Sequence, residues 1–120
     1  MVIEITKMKE YIQKFSKDRN WDKLHSPKNI TMDIVIEASE LMDIFTWLDR
    51  DQSYCVHKDE KVFEHVKEEM ADVLFALVRL SDLLNIDLNE AFWEKTKKNE
   101  LKYPIEKARQ IAEKISTFGK

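Results

Sequence analysis

Among 120 residues there is one glycine, Gly119, and it stands next to the end of the chain. Glycine is the residue that takes positive φ freely and lets a backbone approach a ligand closely. A phosphate-cradling loop and a dinucleotide-binding turn each need several glycines at fixed spacing, and neither can be written here. Tight two-residue hairpins draw on Asn-Gly, Asp-Gly or Gly-Gly, and none occurs. Pro27 and Pro104 are the only prolines, so long uninterrupted helices are what remains. At 43% apolar and 36% charged residues, the chain can both fill a core and cover it. Its length suits one all-α domain over residues 1–120.

Apolar residues recur at helical spacing along most of the sequence. Ile5, Met8, Ile12 and Phe15 predict a first helix over about residues 3–17. Ile34, Ala38, Leu41, Phe45 and Leu48 predict a second over about 30–48, entered through Pro27 and Asn29. Residues 49–59 read as a polar loop ending in acids, which favour a helix start. A third helix follows over about 60–84. Its first half is amphipathic, and its second half, from Met70 to Leu84, is apolar almost all round, as in a helix buried on most sides. Asp87 with Glu90 makes an acidic capping box for a fourth helix over 88–102. Pro104 ends that helix, and Ile105, Ala108, Ile111, Ala112 and Ile115 mark a short last one. The expected architecture is a bundle of four or five helices. The apolar third helix points to a homo-oligomer, a dimer or a dimer of dimers, with that helix near the interface. A central helix in a monomer is the alternative.

Charge and cysteine content exclude several functions. Twenty basic against 23 acidic residues give a formal charge of −3, without the basic footprint of a nucleic-acid binder. Cys55 stands alone, so there is no intrachain disulfide and no cysteine-based zinc site. The longest apolar run, Val73 to Val78, is far short of a membrane span. The Met-Val-Ile-Glu-Ile start lacks the basic and apolar regions of a signal peptide, which predicts a cytoplasmic location. His57, His65 and Cys55 read as surface or packing residues.

Two pairs of acids sit where acids are costly. Glu37 and Glu40 lie within Ile34-Val35-Ile36-Glu37-Ala38-Ser39-Glu40-Leu41-Met42, and Glu69 and Asp72 within Glu69-Met70-Ala71-Asp72-Val73-Leu74-Phe75. The spacing alone is weak, because a chain with 23 acids carries several such pairs by chance. The apolar flanks are what matter: they place the shared face of each pair partly inside the bundle. Buried carboxylates must be protonated, paired or bound to metal. Arg79, two turns beyond Asp72, is the main candidate partner, and a salt-bridge network around it is one reading. The other is a hard-cation site, with oxygen ligands from two facing helices holding Mg²⁺ or Mn²⁺. A di-iron centre would want Glu-x-x-His, and no Glu stands three residues before any histidine. A Mg²⁺ site invites a phosphate substrate. Lys95, Lys98 and Lys102 share one face of the fourth helix, as phosphate ligands or as a solvated basic face. Trp21 and Trp47 are able to stack on a nucleobase, with core packing as the alternative.

Taken in order, these residues carry a resemblance. The motifs are Trp21-x-x-x-His25-x-Pro27-x-Asn29, Glu37-x-x-Glu40, Phe45-Thr46-Trp47, Glu69-x-x-Asp72 and Lys95-x-x-x-Asn99-x-x-Lys102-Tyr103-Pro104. From about Arg19 to Pro104 the sequence resembles the MazG-type all-α nucleoside-triphosphate pyrophosphohydrolases, most closely the dCTP pyrophosphatase branch. The resemblance implies the reaction dNTP + H₂O → dNMP + PPi. It implies Mg²⁺ on Glu37, Glu40, Glu69 and Asp72, which would be the catalytic residues. It assigns Trp21, His25 and Trp47 to the base and sugar pocket, and Lys95, Asn99, Lys102 and Tyr103 to the phosphates. It also implies dimers or tetramers with sites built at subunit contacts. Two positions depart from the family. Many relatives carry Gly in the first acid motif, where this chain has Ala38-Ser39, and the dCTP branch tends to have Tyr where this chain has Ala76. The rival reading is a non-catalytic helical interaction module whose acids pair with Arg79.

Overall fold

A computed structural model describes residues 4–118, and every regular element among them is helical. The elements are α1 (Ile5–Asp18), a 3₁₀ turn (Trp21–Lys23), α2 (Pro27–Phe45), α3 (Arg50–Ser53), a 3₁₀ turn (Val56–Lys58), α4 (Glu60–Leu83), α5 (Leu88–Lys102) and α6 (Ile105–Phe118). The expected start of the first helix at residue 3 lies outside the described residues. None of these helices is long and apolar enough to cross a membrane.

Polar side chains set the helix starts. Ser26 caps α2 by accepting from the Asn29 amide at 3.1 Å, with Pro27 at the first helical position. This cap moves the start of α2 upstream of residue 30. Asp59 caps α4 and Asp87 caps α5, the latter by accepting from the Glu90 amide at 3.0 Å. The return bond from Glu90 that would complete a capping box is not formed. A full box does occur at Asp49 and Gln52, with reciprocal bonds of 2.8 and 3.0 Å. It opens α3 inside the stretch expected to be loop. The expected loop is therefore partly helical, because local capping there outweighs the lack of an apolar stripe.

Chain reversal without glycine falls to asparagine. Asn20 and Asn85 take left-handed φ values of 60° and 53°, a conformation that asparagine tolerates better than most residues. After α4 the Ile86 amide bonds Ser81 O at 2.8 Å and the Asn85 amide bonds Asp82 O at 3.2 Å. That pair of bonds is a Schellman motif, closing the helix end.

The contacts divide the chain between Ile86 and Asp87 into two compact units. In the first, α2 packs along α4, and α1 packs on α4. Lys9 reaches Ile86 O, Gln13 reaches Asp82, and Phe15 meets Phe75, so α1 runs antiparallel to α4. Ile12, Ile30, Val66, Ala76 and Val78 form the buried apolar core. The apolar half of α4 is less enclosed than its composition predicts: Met70, Leu77 and Leu84 stay exposed, as do Val35, Ile36 and Met42 on α2. The second unit consists of α5 and α6, with Ile105, Ile111 and Ile115 exposed on α6.

The core is small enough that one deletion is felt. Ile12→Ala removes a side chain that is 4% exposed and is expected to lower unfolding free energy by about 2–5 kcal/mol. Ser26→Ala is expected to cost about 1 kcal/mol through loss of the α2 cap. Urea denaturation of the two variants against the parent chain checks both.

Candidate functional site

Residues three apart on a helix share a face, and the packing of α2 along α4 turns two such faces toward each other. Glu37, Glu40 and Glu69 each offer a carboxylate oxygen, and the three atoms lie within 4.8 Å of one another. Asp72 is not part of this trio. It lines the adjoining cleft with Glu37, and its charge acts on Glu37. Burial is uneven: Glu69 is 8% exposed, Glu37 is half-buried, and Glu40 and Asp72 are exposed. The expected apolar surroundings therefore apply to Glu37 and Glu69, one acid of each pair.

The protein does not neutralise this cluster. Among the described residues of the first unit no lysine or arginine pairs with any of the four acids. Glu69 Oε1 meets His65 Nε2 at 3.2 Å. Glu69 Oε2 and Glu37 Oε2 are buried without a hydrogen-bond partner. Orphaned buried oxygens of this kind are unfavourable unless a proton or a cation supplies the missing contact. Burial, then the negative charges of Asp72, Glu40 and Glu69, push the Glu37 carboxyl up to about 7. Convergent carboxylates, two of which also carry a buried unsatisfied oxygen, suit a hard divalent cation.

Arg79 goes elsewhere. It is 5% exposed and bonds His25 Nδ1 at 2.9 Å, Asp22 Oδ1 at 2.8 Å and Asp82 Oδ2 at 3.1 Å. The expected alternative, in which Arg79 pairs with the four acids, is corrected on this point. The guanidinium is occupied by the turn before α2 and by the last turn of its own helix.

Beside the acids lies a cleft of about 530 Å³. Tyr11, Phe15, Trp21 and Phe75 form its aromatic side, Asp33, Glu37 and Asp72 its acidic side, and His25, Ile30 and Ala76 complete it. Phe15 meets Trp21 edge-on with centroids 5.4 Å apart and Phe75 at 5.8 Å, and Trp21 meets His25 at 6.0 Å. Trp21 and His25 thus stand in the cleft with Glu37 and Asp72. Trp47 does not: it follows α2, is 91% exposed and lines no part of the cleft. Lys95, Asn99 and Lys102 stand on α5 in the second unit, with Tyr103 as its C-cap and Lys102 Nζ 5.3 Å from the Tyr103 ring centroid. Ser39 leaves α2 unbroken, its hydroxyl returning to Ile36 O at 2.7 Å. Ala76 is buried and small, leaving room in the cleft.

Sequence reasoning missed Asp33, His65 and the α1 wall. Asp33 precedes Glu37 by four residues, which was a readable signal of a shared face. His65 lies four before Glu69 and carried the same signal. Tyr11 and Phe15 had none, since aromatics at helical spacing look like core.

The fold and site define a class: an all-helical domain that gathers carboxylates from two packed helices beside an aromatic cleft. A model described as the MazG-like family matches residues 32–118. Mouse dCTP pyrophosphatase 1 is 31% identical over 98 residues, covering 82% of this chain and 58% of that protein. The human protein of the same name is 30% identical over 102 residues, covering 85% and 60%. The chain therefore spans less than two thirds of the length of these mammalian relatives. The crystal structure of a pyrophosphatase from Archaeoglobus fulgidus superposes with a TM-score of 0.78 at 37% identity, covering 87% of this chain and 95% of that one. This chain belongs to the MazG-like family, and the resemblance to its dCTP pyrophosphatase branch is borne out.

Glu37 links stability to pH. Its native pKa of about 7 exceeds the ordinary 4.5, so the folded state binds the extra proton in between. The stability that this proton contributes is complete below about pH 4.5 and is lost as pH rises through about 7. In chelator, the melting temperature of the parent chain is expected to fall by a few degrees more than that of Glu37→Gln between about pH 5 and about pH 8. Thermal melts of the two proteins across that range check this.

Proposed function

We propose that this chain is a divalent-cation-dependent nucleoside-triphosphate pyrophosphohydrolase, catalysing (d)NTP + H₂O → (d)NMP + PPi. The observation that carries the reading is the cluster of Glu37, Glu40 and Glu69, with two orphaned buried oxygens and, among the described residues of the first unit, no lysine or arginine paired to it, opening beside an aromatic cleft. The relatives named dCTP pyrophosphatase 1 and the archaeal pyrophosphatase support the same chemistry. The substrate we propose is dCTP or a modified pyrimidine nucleotide, removed as nucleotide-pool housekeeping in the cytoplasm.

Glu37, Glu40, Glu69 and Asp72 would hold Mg²⁺, with Mn²⁺ as a substitute. When bound, the cation neutralises phosphate charge, polarises the phosphoryl oxygen and lowers the pKa of coordinated water. Trp21, with Phe15 and Phe75 behind it, offers an apolar face against which a base excludes water. His25 and Asp33 supply the polar contacts that orient it. Ala76 leaves space for a substituent on the ring. Lys95, Asn99, Lys102 and Tyr103 would bind the remaining phosphates. Trp47, outside the cleft, would contribute to base binding in an assembly. The exposed apolar side chains of α2, Val35, Ile36 and Met42, support assembly as a homodimer or homotetramer.

Pyrophosphate release from a panel of nucleoside triphosphates tests the reading directly. Glu40→Gln and Asp72→Asn are each expected to lower the Mg²⁺-dependent rate by about 100-fold or more while circular dichroism remains helical. Mg²⁺ at about 100 times its Kd is expected to stabilise the parent chain by about 2.7 kcal/mol. No pyrophosphate from any nucleotide, together with no thermal shift on adding Mg²⁺ or Mn²⁺, would favour a non-catalytic module.

A further inference from the structure

Arg79 takes no part in the acidic cluster, and what it holds is one wall of the cleft. Its Nε–H points at His25 Nδ1, 2.9 Å away, while Nη2 and Nη1 donate to Asp22 and Asp82. The other oxygen of Asp82 accepts from Gln13 Nε2 of α1 at 2.6 Å. Three segments, α1, α4 and the turn before α2, therefore fix the guanidinium. Asn29 secures that turn from the far side by donating to Leu24 O at 2.8 Å.

A guanidinium has donors only and does not deprotonate in a protein. The histidine nitrogen that accepts from it must carry a lone pair. In a neutral imidazole the single proton then sits on the other nitrogen, Nε2. Adding a proton at Nδ1 would break the bond to Arg79 and press two cations together. The charged groups facing His25 are Arg79 from α4, Asp22 from its own turn and Asp33 from α2. Burial first, then the Arg79 charge, hold His25 below its ordinary pKa despite the two acids. Nε2 has no hydrogen-bond partner among the described residues, although His25 lines the cleft.

We propose that Arg79 is a positioning residue that locks His25 as the Nε2–H tautomer, so that the cleft presents a constant hydrogen-bond donor to the nucleotide. The ligand must then bring an acceptor to His25, such as a base carbonyl oxygen or an unprotonated ring nitrogen. This ligand half rests on the pyrophosphohydrolase reading. The tautomer half stands on the geometry alone.

Nitrogen-resolved NMR of the imidazole rings in the full chain tests the tautomer without substrate. At about pH 8, above the ordinary histidine range, His25 is expected to show a protonated Nε2 and an unprotonated Nδ1. A proton on Nδ1 at that pH overturns the proposal. Arg79→Gln should release the ring, giving mixed tautomers. With dCTP as substrate, the same variant is expected to raise KM about tenfold with little change in kcat. On a His25→Ala background it should add no further increase, and an equal increase there would overturn the positioning role. Should Arg79→Gln not fold, His25→Gln and His25→Asn give the same information with Arg79 intact. Glutamine carries a donor close to the Nε2 position and should recover most of the affinity that asparagine loses; equal losses overturn the proposal. If the parent chain releases no pyrophosphate from dCTP, the substrate reading fails while the NMR result still decides what Arg79 does.

Discussion

The site turns on carboxylates that the protein brings together and does not neutralise. Like charges this close repel, and two of the oxygens, Glu37 Oε2 and Glu69 Oε2, are cut off from water and from donors. A helical unit whose buried apolar core, among the described residues, is Ile12, Ile30, Val66, Ala76 and Val78 has little stability with which to absorb such a strain. The protonated state of Glu37 near neutral pH relieves part of it. A divalent cation would relieve the rest, since it supplies the contacts that the buried oxygens lack. The α2–α4 pair is the frame for this arrangement. Both helices are continuous through their acid motifs, so the carboxylates are held by rigid elements and not by loops.

Positive charge is correspondingly kept apart. Arg79, buried on α4, is drawn away from the cluster by Asp22 and Asp82, and its Nε–H donates to His25. Had Arg79 turned toward Glu37 or Asp72, it would have satisfied them and closed the site to any cation. The same segregation gives the cleft its two characters. Carboxylates line one side, and Trp21, Phe15 and Phe75 line the other, with His25 as the polar group tied into the framework. A ligand with an anionic tail and a flat ring meets a cation-ready region and an aromatic face in one continuous space.

Much of this was legible in the sequence, and the reasons differ by residue. The helices followed from periodicity, and the start of α4 and both ends of α5 fell where capping residues and Pro104 put them. The short α3 escaped because its signal is a capping box, Asp49 and Gln52, with no apolar stripe behind it. The acid pairs were visible because carboxylates inside apolar segments are physically expensive. Their unequal burial was not, since it depends on the angle at which α2 meets α4. Arg79 was visible as the main candidate partner of the acids, two turns beyond Asp72 on the same helix. One of its partners, Asp82, lies three residues on in the same helix, but the other two come from a turn 54 and 57 residues away, a pairing that no local pattern encodes. Trp47 matched a motif, yet a motif fixes order along the chain and says nothing of which surface the side chain will occupy.

The scarcity of glycine bears on the chemistry as well as the fold. Folds that bind phosphates through glycine-rich loops present backbone amides to the anion, and the helix behind the loop adds its dipole. Here the starts of α2, α3, α4 and α5 are each closed by a side chain of their own, Ser26, Asp49, Asp59 or Asp87, three of them acidic. These caps occupy the amides and put negative charge where a phosphate would otherwise sit. With a net charge of −3, the chain has no general attraction for polyphosphates either. On the proposed reading, phosphate binding would fall to lysine side chains and to cations held by carboxylates. A glycine-poor helical domain that handles triphosphates would, on that reading, lean on metal-assisted recognition, to which the carboxylates gathered on α2 and α4 are suited.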